Sequence, residues 1–438
     1  MTFSSLSGKA SRAPIWRADL RNCRRHRLRP PDLILYFKST PSWRGLFWHC
    51  LGECAWLSVR QEIVRKEVVK MEYQLVRIGP VPCIMMMLLS IGLMNHVIIA
   101  PMILDEAGRD SWIAIILTAA LLPLLLLPLY ATMRSIGTQQ LPVWLEERAG
   151  RVTKNILIVA FGLLLAAIAI STAFDTVTWG ETTYLPNTPP FVTSIVFVAL
   201  SVSGAILGIH VIAYVSCLLL PVVTVLGFFV SGANTPHKDY SQLLPVMEHG
   251  WSPIVNGMVM VAGGFIELTL FTLFQGYVDK PFRKSHLAVT SAIVVILSLG
   301  PIIGILTLLG PYEATIQRYP AFVQWRQVQI GKYFEHVDFF AIFQWISGAY
   351  IRTACALALI MDLFQIRNRV KRGILGGAIG LLTVGFTLYP FDDSSGYRLY
   401  KEYVPYMLCA FLALFIVLLL IAAFGRKGEV AHDANNGA

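Results

Sequence analysis

From residue 78 onward, long apolar runs alternate with short polar connections. The runs predict ten helices, near 80–103, 111–132, 154–177, 191–207, 210–231, 253–277, 287–310, 338–361, 373–390 and 403–425. At 1.5 Å per residue, about 20 residues cross a hydrocarbon core ~30 Å thick. Trp112 to Met133, Leu287 to Gly310 and Tyr403 to Gly425 contain no Asp, Glu, Lys or Arg. Helices inside a water-soluble domain are rarely so long and so free of charge, and membrane β-strands would alternate polar and apolar positions. The expected fold class is an all-α integral membrane protein.

Ten spans divide into five and five, and the first of each half is interrupted midway. Span 1 holds Ser90-Ile91-Gly92-Leu93-Met94-Asn95-His96, and span 6 holds Gly263-Gly264-Phe265-Ile266-Glu267. Glycine weakens a helix by about 1 kcal/mol relative to alanine. Inverted-repeat transporters bind ligands at such breaks, where helix ends and unwound backbone offer polar groups at mid-membrane depth. A corresponding pair of breaks, one in each half, therefore predicts a ligand site formed by interrupted helices 1 and 6. The competing reading is that the glycines serve only close helix packing.

The candidate ligand-binding residues are Ser90, Ile91, Gly92, Leu93 and Met94 in the first break and Gly263, Gly264, Phe265 and Glu267 in the second. Thr172 and Tyr350 complete the set. Glu267 is the sharpest candidate, because a carboxylate within the membrane is costly unless paired or facing a cavity. Arg352 is read as pairing with a carboxylate or lining the cavity, with packing as the alternative. His96 reads as a hydrogen-bonded packing residue more readily than a titrating one, and Asp175 as either interfacial or functional. Thr172, Ser347 and Tyr350 offer hydroxyls, although Ser and Thr in helices commonly bond their own backbone.

Composition sharpens the membrane reading. The 438 residues are 55% hydrophobic and 14% charged, against roughly 25% charged in soluble proteins. The net charge of +10 is unevenly placed: residues 1–70 hold 14 of the 36 basic and 5 of the 26 acidic side chains. That segment carries +9, and the remaining 22 basic and 21 acidic residues give the rest of the chain +1. Met71-Glu72-Tyr73-Gln74 leads directly into apolar sequence, so Met71 reads as the biological start and 1–70 as a start-site artefact. A basic cytosolic arm and a lipid- or nucleic-acid-binding tail are the alternatives. His49, Cys50 and Cys54 lack the second ligand pair of a zinc site. The expected organisation is an extension, 1–70, a transmembrane domain, 71–425, and a short tail, 426–438.

With the N-terminus cytoplasmic, the inner segments from residue 71 onward carry 14 Lys or Arg and the outer loops 7. The positive-inside rule then places both termini in the cytoplasm. Cys83, Cys217, Cys355 and Cys409 lie in or near spans and suggest no disulfide framework. No P-loop, HExxH or G-x-S-x-G motif is present. The sequence thus predicts no enzyme, cofactor, metal or nucleic-acid partner.

Four stretches carry a resemblance to a known family. Glu106-Ala107-Gly108-Arg109-Asp110-Ser111-Trp112 follows span 1 and Leu185-Pro186-Asn187-Thr188-Pro189 follows span 3. Tyr319-Pro320 comes next, and Glu335-His336-Val337-Asp338 leads into span 8 with Trp345. In this order and spacing the chain from Met71 to about Gly425 resembles the spore germination receptor B-subunit family, or endospore germination permeases, of the amino acid–polyamine–organocation superfamily. The resemblance implies a 5+5 inverted-repeat bundle of ten helices with helices 1 and 6 interrupted, in the endospore inner membrane beside A-type and lipoprotein C-type subunits. Its ligand would be a small nutrient, an amino acid, nucleoside or sugar, held between spans 1, 3, 6 and 8. Many proton-coupled relatives have a lysine in span 5, and Val211 to Gly232 contains none. A germinant-sensing receptor subunit is the expected function, and an ion-coupled amino-acid permease is the alternative. The amphipathic stretch from Tyr312 to His336 is a candidate outer gate or partner surface.

Overall fold

The computed structural model describes residues 76–329, 337–389 and 393–425. The extension 1–70, the tail 426–438 and the end of the amphipathic stretch, 330–336, lie outside the described residues. The elements are α1 (Pro80–Leu93), α2 (Ala100–Ala107), α3 (Ser111–Ile136), α4 (Leu141–Thr183), α5 (Pro190–Leu207) and α6 (Ile209–Ala233). They continue with α7 (Trp251–Phe265), α8 (Lys284–Leu309), the short α9 (Pro311–Thr315) and α10 (Pro320–Arg326), then α11 (Phe339–Leu363), α12 (Arg369–Thr387) and α13 (Asp393–Phe424).

Among the described residues, nine helical stretches are long and apolar enough to cross a membrane. The first, Pro80–Ile136, has 57 residues and takes in both of the first two expected spans; its contour of ~86 Å far exceeds one crossing. Gly108 divides it, with φ 54° and ψ −128°, a conformation that strains any residue with a Cβ. Each other expected span falls on one of the remaining eight stretches. The protein is an all-α membrane protein.

One helix starts well before its expected span. α4 begins at Leu141 rather than near 154 and kinks at Gly150, where φ is 81° and ψ 170°. In the added segment Leu141, Trp144 and Leu145 are buried while Glu146 and Glu147 are exposed. This is the spacing of an amphipathic surface helix, whose charges hide it from a search for apolar runs.

Both interruptions exist, each at the C-terminal edge of its expected stretch. Ser90 to Leu93 are α-helical; the irregular turn is a π-helix over Met94–Ile98, before the helix resumes at Ala100. Pro101 follows at once and has no N–H to return to the preceding turn. In the second break Gly263 to Phe265 still belong to α7, and a 3₁₀ helix runs from Ile266 to Thr272. The chain entering α1 is pinned to the chain leaving this segment, as Ile78 N–H donates to Tyr277 O at 2.8 Å and Asp279 N–H to Ile78 O at 3.0 Å.

α11 is the centre of the bundle. Its most apolar window is 83% buried, against 17% for those of α6 and α13, and it packs on α1, α4, α5 and α6. Helix hydroxyls are satisfied locally: Thr118, Ser201, Ser216 and Ser298 each donate to the carbonyl four residues back. One carbonyl is satisfied at a distance. Pro301 in α8 removes the N–H that would bond Leu297 O, and His96 Nδ1 contacts that oxygen at 3.1 Å. A carbonyl accepts, so in this contact Nδ1 is the donor, an arrangement consistent with a packing role for His96.

Candidate functional site

The geometry of the breaks releases backbone groups. At the end of α1, Met94 N–H bonds Ile91 O, leaving Ser90 O to another donor. That donor is Arg352 Nη1 of α11, at 3.2 Å. The same guanidinium meets Glu267 in a fork: Nη1 to Oε2 and Nη2 to Oε1, both at 2.5 Å. Its Nε donates to Thr172 Oγ1 of α4 at 3.0 Å, while that hydroxyl donates to Ile168 O at 2.7 Å. Arg352 and Glu267 are each 2% exposed. One side chain thereby joins four expected spans, 1, 3, 6 and 8.

Two charges buried this deeply are tolerated because each compensates the other and nearly every donor has an acceptor. Polar capacity remains beside them. Asn95 Nδ2 donates to Ile91 O at 2.9 Å, but Asn95 Oδ1 is buried with no hydrogen-bond partner among the described residues. The Tyr403 hydroxyl is likewise unpartnered. Tyr400 and Tyr403 of α13 lie within electrostatic reach of Arg352, and the Tyr400 hydroxyl approaches Met94 Sδ at 3.8 Å.

The glycines of the second break pack tightly. A Cβ on Gly263 would stand 2.5 Å from Val404 of α13; one on Gly264 would collide with Asn95 Oδ1 and lie 2.6 Å from Ile99 Cδ1. They let the two interrupted helices and α13 approach closely, the packing role set against the ligand role above. Gly92 faces Leu297 of α8, and Leu93 lies against Gly348 of α11. Phe265 is buried in the apolar core.

Tyr350 is not brought to the ion pair. It lies two residues from Arg352, about 200° around the helix at 100° per residue. Its hydroxyl points to Gly204 of α5, and with Ser347 it borders an apolar groove formed with Leu200, Leu219, Phe343 and Ile346.

Both ends of the central site are closed by side chains. Toward α9 and α10, Arg318 Nη2 pairs with Asp175 Oδ1 at 2.9 Å, and its guanidinium lies over Tyr319 and Tyr397 at 4.6 and 4.9 Å. Trp179 and Trp345 stack at 4.2 Å with planes 3° apart. Tyr319 meets Trp345 edge-on, and Tyr184 and Phe322 meet Trp179 in the same way. Burial and the Asp338 carboxylate, whose backbone oxygen its hydroxyl also contacts, hold the Tyr184 phenol well above its ordinary pKa. Trp345 lies seven residues, or ~10 Å, from Arg352 along α11, and Asp362 ten residues, or ~15 Å, in the other direction. There Asp362 accepts from the Tyr277 hydroxyl at 2.7 Å and pairs with Arg372, whose Nη2 donates to Ala205 O.

The structure brings together Ser90, Thr172, Glu267 and Arg352, all singled out by the sequence, and adds Asn95, Tyr400, Tyr403 and Arg318, to which the sequence assigns no role. Asn95 lies within the break at residues 90–96, and that position is the one sequence signal for it. Tyr403 begins a span without acid or base, Tyr400 lies just before it beside Lys401 and Glu402, and Arg318 reads from sequence only as a loop charge.

Comparison with known proteins gives a consistent result. A family model described as spore germination protein matches residues 81–394. Spore germination protein XB of Bacillus anthracis is 35% identical over 340 residues, covering 78% of this chain and 96% of the relative. Spore germination proteins A2 and KB of Bacillus subtilis (strain 168) are 22% and 24% identical, each covering 73% of this chain, and 87% and 88% of their own lengths.

Proposed function

The chain belongs to the spore germination protein family, and from that premise we propose that it is the membrane-embedded B-type subunit of a germinant receptor. It binds a small nutrient, an amino acid, nucleoside or sugar, beside Glu267 and Arg352. Its site is the endospore inner membrane, with both termini cytoplasmic, and its partners are A-type and C-type subunits. The observation that carries this reading is the buried Arg352–Glu267 pair, which ties both breaks to α4 and α11. A ligand that exchanges hydrogen bonds with this pair, or with Asn95 and Tyr403, changes how the breaks sit against the fixed helices. It shifts the population of conformations only by its differential affinity for them, and partner subunits read that shift.

The second reading is an ion-coupled amino-acid permease. Both Glu267 oxygens are engaged by Arg352, so Glu267 has no free oxygen to carry a proton, which favours the receptor. Spores deleted for the protein, then complemented with Met71–Ala438, test the proposal. The deletion removes the response to at least one nutrient and complementation restores it. A full set of responses in the deletion strain would overturn the receptor reading. Accumulation of radiolabelled amino acid in vesicles, abolished by an ionophore, would establish the permease.

A further inference from the structure

A second polar site lies on the loop that carries Arg318. A cavity of about 310 Å³ opens between the end of α8, α9 and α10, lined by Leu309, Glu313, Gln317, Val323, Arg326 and Gln327. That volume is at the small end of the range for ligand pockets, about 300–1,000 Å³. Two of its described lining residues are charged, with opposite signs, and neither the Glu313 carboxylate nor the Arg326 guanidinium makes an ion pair or hydrogen bond among the described residues; Arg326 lies within electrostatic reach of Tyr184. α10 is fixed in place from behind. Gln324 Nε2 donates to Pro301 O at 3.0 Å, Asn234 Nδ2 to Gln324 O at 2.8 Å, and Trp325 Nε1 to Gln344 Oε1 at 3.0 Å. Ala314 anchors α9 by full burial. Opposite charges without an ion-pair partner among the described residues are thus presented on fixed walls with aliphatic surface between them.

We propose that this cavity binds a small zwitterion, an α-amino acid with an aliphatic side chain, at a site separate from the Arg352–Glu267 centre. Arg326 takes the carboxylate, Glu313 the ammonium group, and Leu309 and Val323 the side chain. A simple cation or anion would satisfy one wall and leave the other charge without a partner, so discrimination comes from charge pairing at both ends. Arg318 and Tyr319 lie in the segment between the two charges, and they close one end of the central site through Asp175 and Trp345. An occupant joining α9 to α10 braces that closure.

The test uses full-length protein in proteoliposomes, with Gln317→Cys and Gln327→Cys as reporters alkylated by a charged, membrane-impermeant thiol reagent. The probes are L-leucine, leucinamide, which lacks the carboxylate, and 4-methylpentanoate, which lacks the amine. Expected is at least tenfold slower alkylation with L-leucine at one reporter or both, and little change with the other two compounds. Protection is lost in Glu313→Gln and Arg326→Gln, both at exposed positions and checked for a monodisperse elution profile, and is kept in Glu267→Gln. No protection at either reporter, equal protection by all three compounds, or protection lost in Glu267→Gln and kept in Glu313→Gln would overturn the proposal. The last result would leave the central site intact as the place of binding.

Discussion

Arg352 and Glu267 are 85 positions apart in the chain and meet through two hydrogen bonds of 2.5 Å at the centre of the bundle. Losing one member of such a pair strands the other charge in an apolar interior, at a cost of about 3–5 kcal/mol, whereas losing both together costs far less. Arg352→Met and Glu267→Leu are each expected to lower the thermal unfolding midpoint in detergent. The double variant is expected to lie closer to wild type than either single one. Additive losses in the double variant would show that the two charges are not coupled.

Thr172 supports the pair by accepting from Arg352 Nε. Thr172→Val keeps the shape and removes the acceptor, leaving a buried N–H at a cost of about 1–3 kcal/mol. It is expected to weaken the nutrient response, with Thr172→Ser retaining most of it. Tyr350→Phe, on the other face of α11, is expected to leave the response unchanged. Equal effects of Thr172→Val and Tyr350→Phe in a germination assay would contradict this geometry.

Gly263 is set by the approach of α13. Gly263→Ala places a methyl group 2.5 Å from Val404 Cγ1, and overpacking of this kind costs about 1–3 kcal/mol. Gly263→Ala is expected to destabilise the protein and Gly263→Ala/Val404→Ala to recover part of the loss. A double-mutant cycle on the unfolding midpoint measures this. An absence of recovery would mean that the glycine answers to something other than Val404.

Arg318 holds the α9–α10 loop by combining an ion pair to Asp175 with its position over two aromatic rings. A lysine reproduces the charge but not the planar, weakly hydrated group that lies on rings. Both Arg318→Gln and Arg318→Lys are therefore expected to speed amide exchange over residues 316–326, with the glutamine variant faster. Unchanged exchange in Arg318→Gln would show that the loop is held by Gln324 and Trp325 alone.

The spans were legible because hydrocarbon thickness sets their length, and the apolar runs from α3 to α13 follow it. Glu267 and Arg352 stood out because charge is scarce there. Their pairing was open, since no local period links residues on different helices. The breaks were legible to within a few residues: glycine marks a weak helix, but the irregular turns begin at Met94 and Ile266, where hydrogen-bond registers change. Gly263 and Gly264 were read mainly as ligand positions, whereas Val404, Asn95 and Ile99 show their tight packing, which depends on neighbours distant in sequence. The place of Tyr350 away from the ion pair follows from helical geometry once Arg352 is fixed as the inward residue of α11.

The central claim is that nutrient recognition takes place at the Glu267–Arg352 centre. Germination of spores carrying Glu267→Gln, at protein levels matched to wild type, measures it most directly through the nutrient dose–response. The account predicts that the half-maximal concentration of one nutrient class rises at least about tenfold, equivalent to ~1.4 kcal/mol of binding, while responses through other receptors stay unchanged. A dose–response identical to wild type for every nutrient would contradict it.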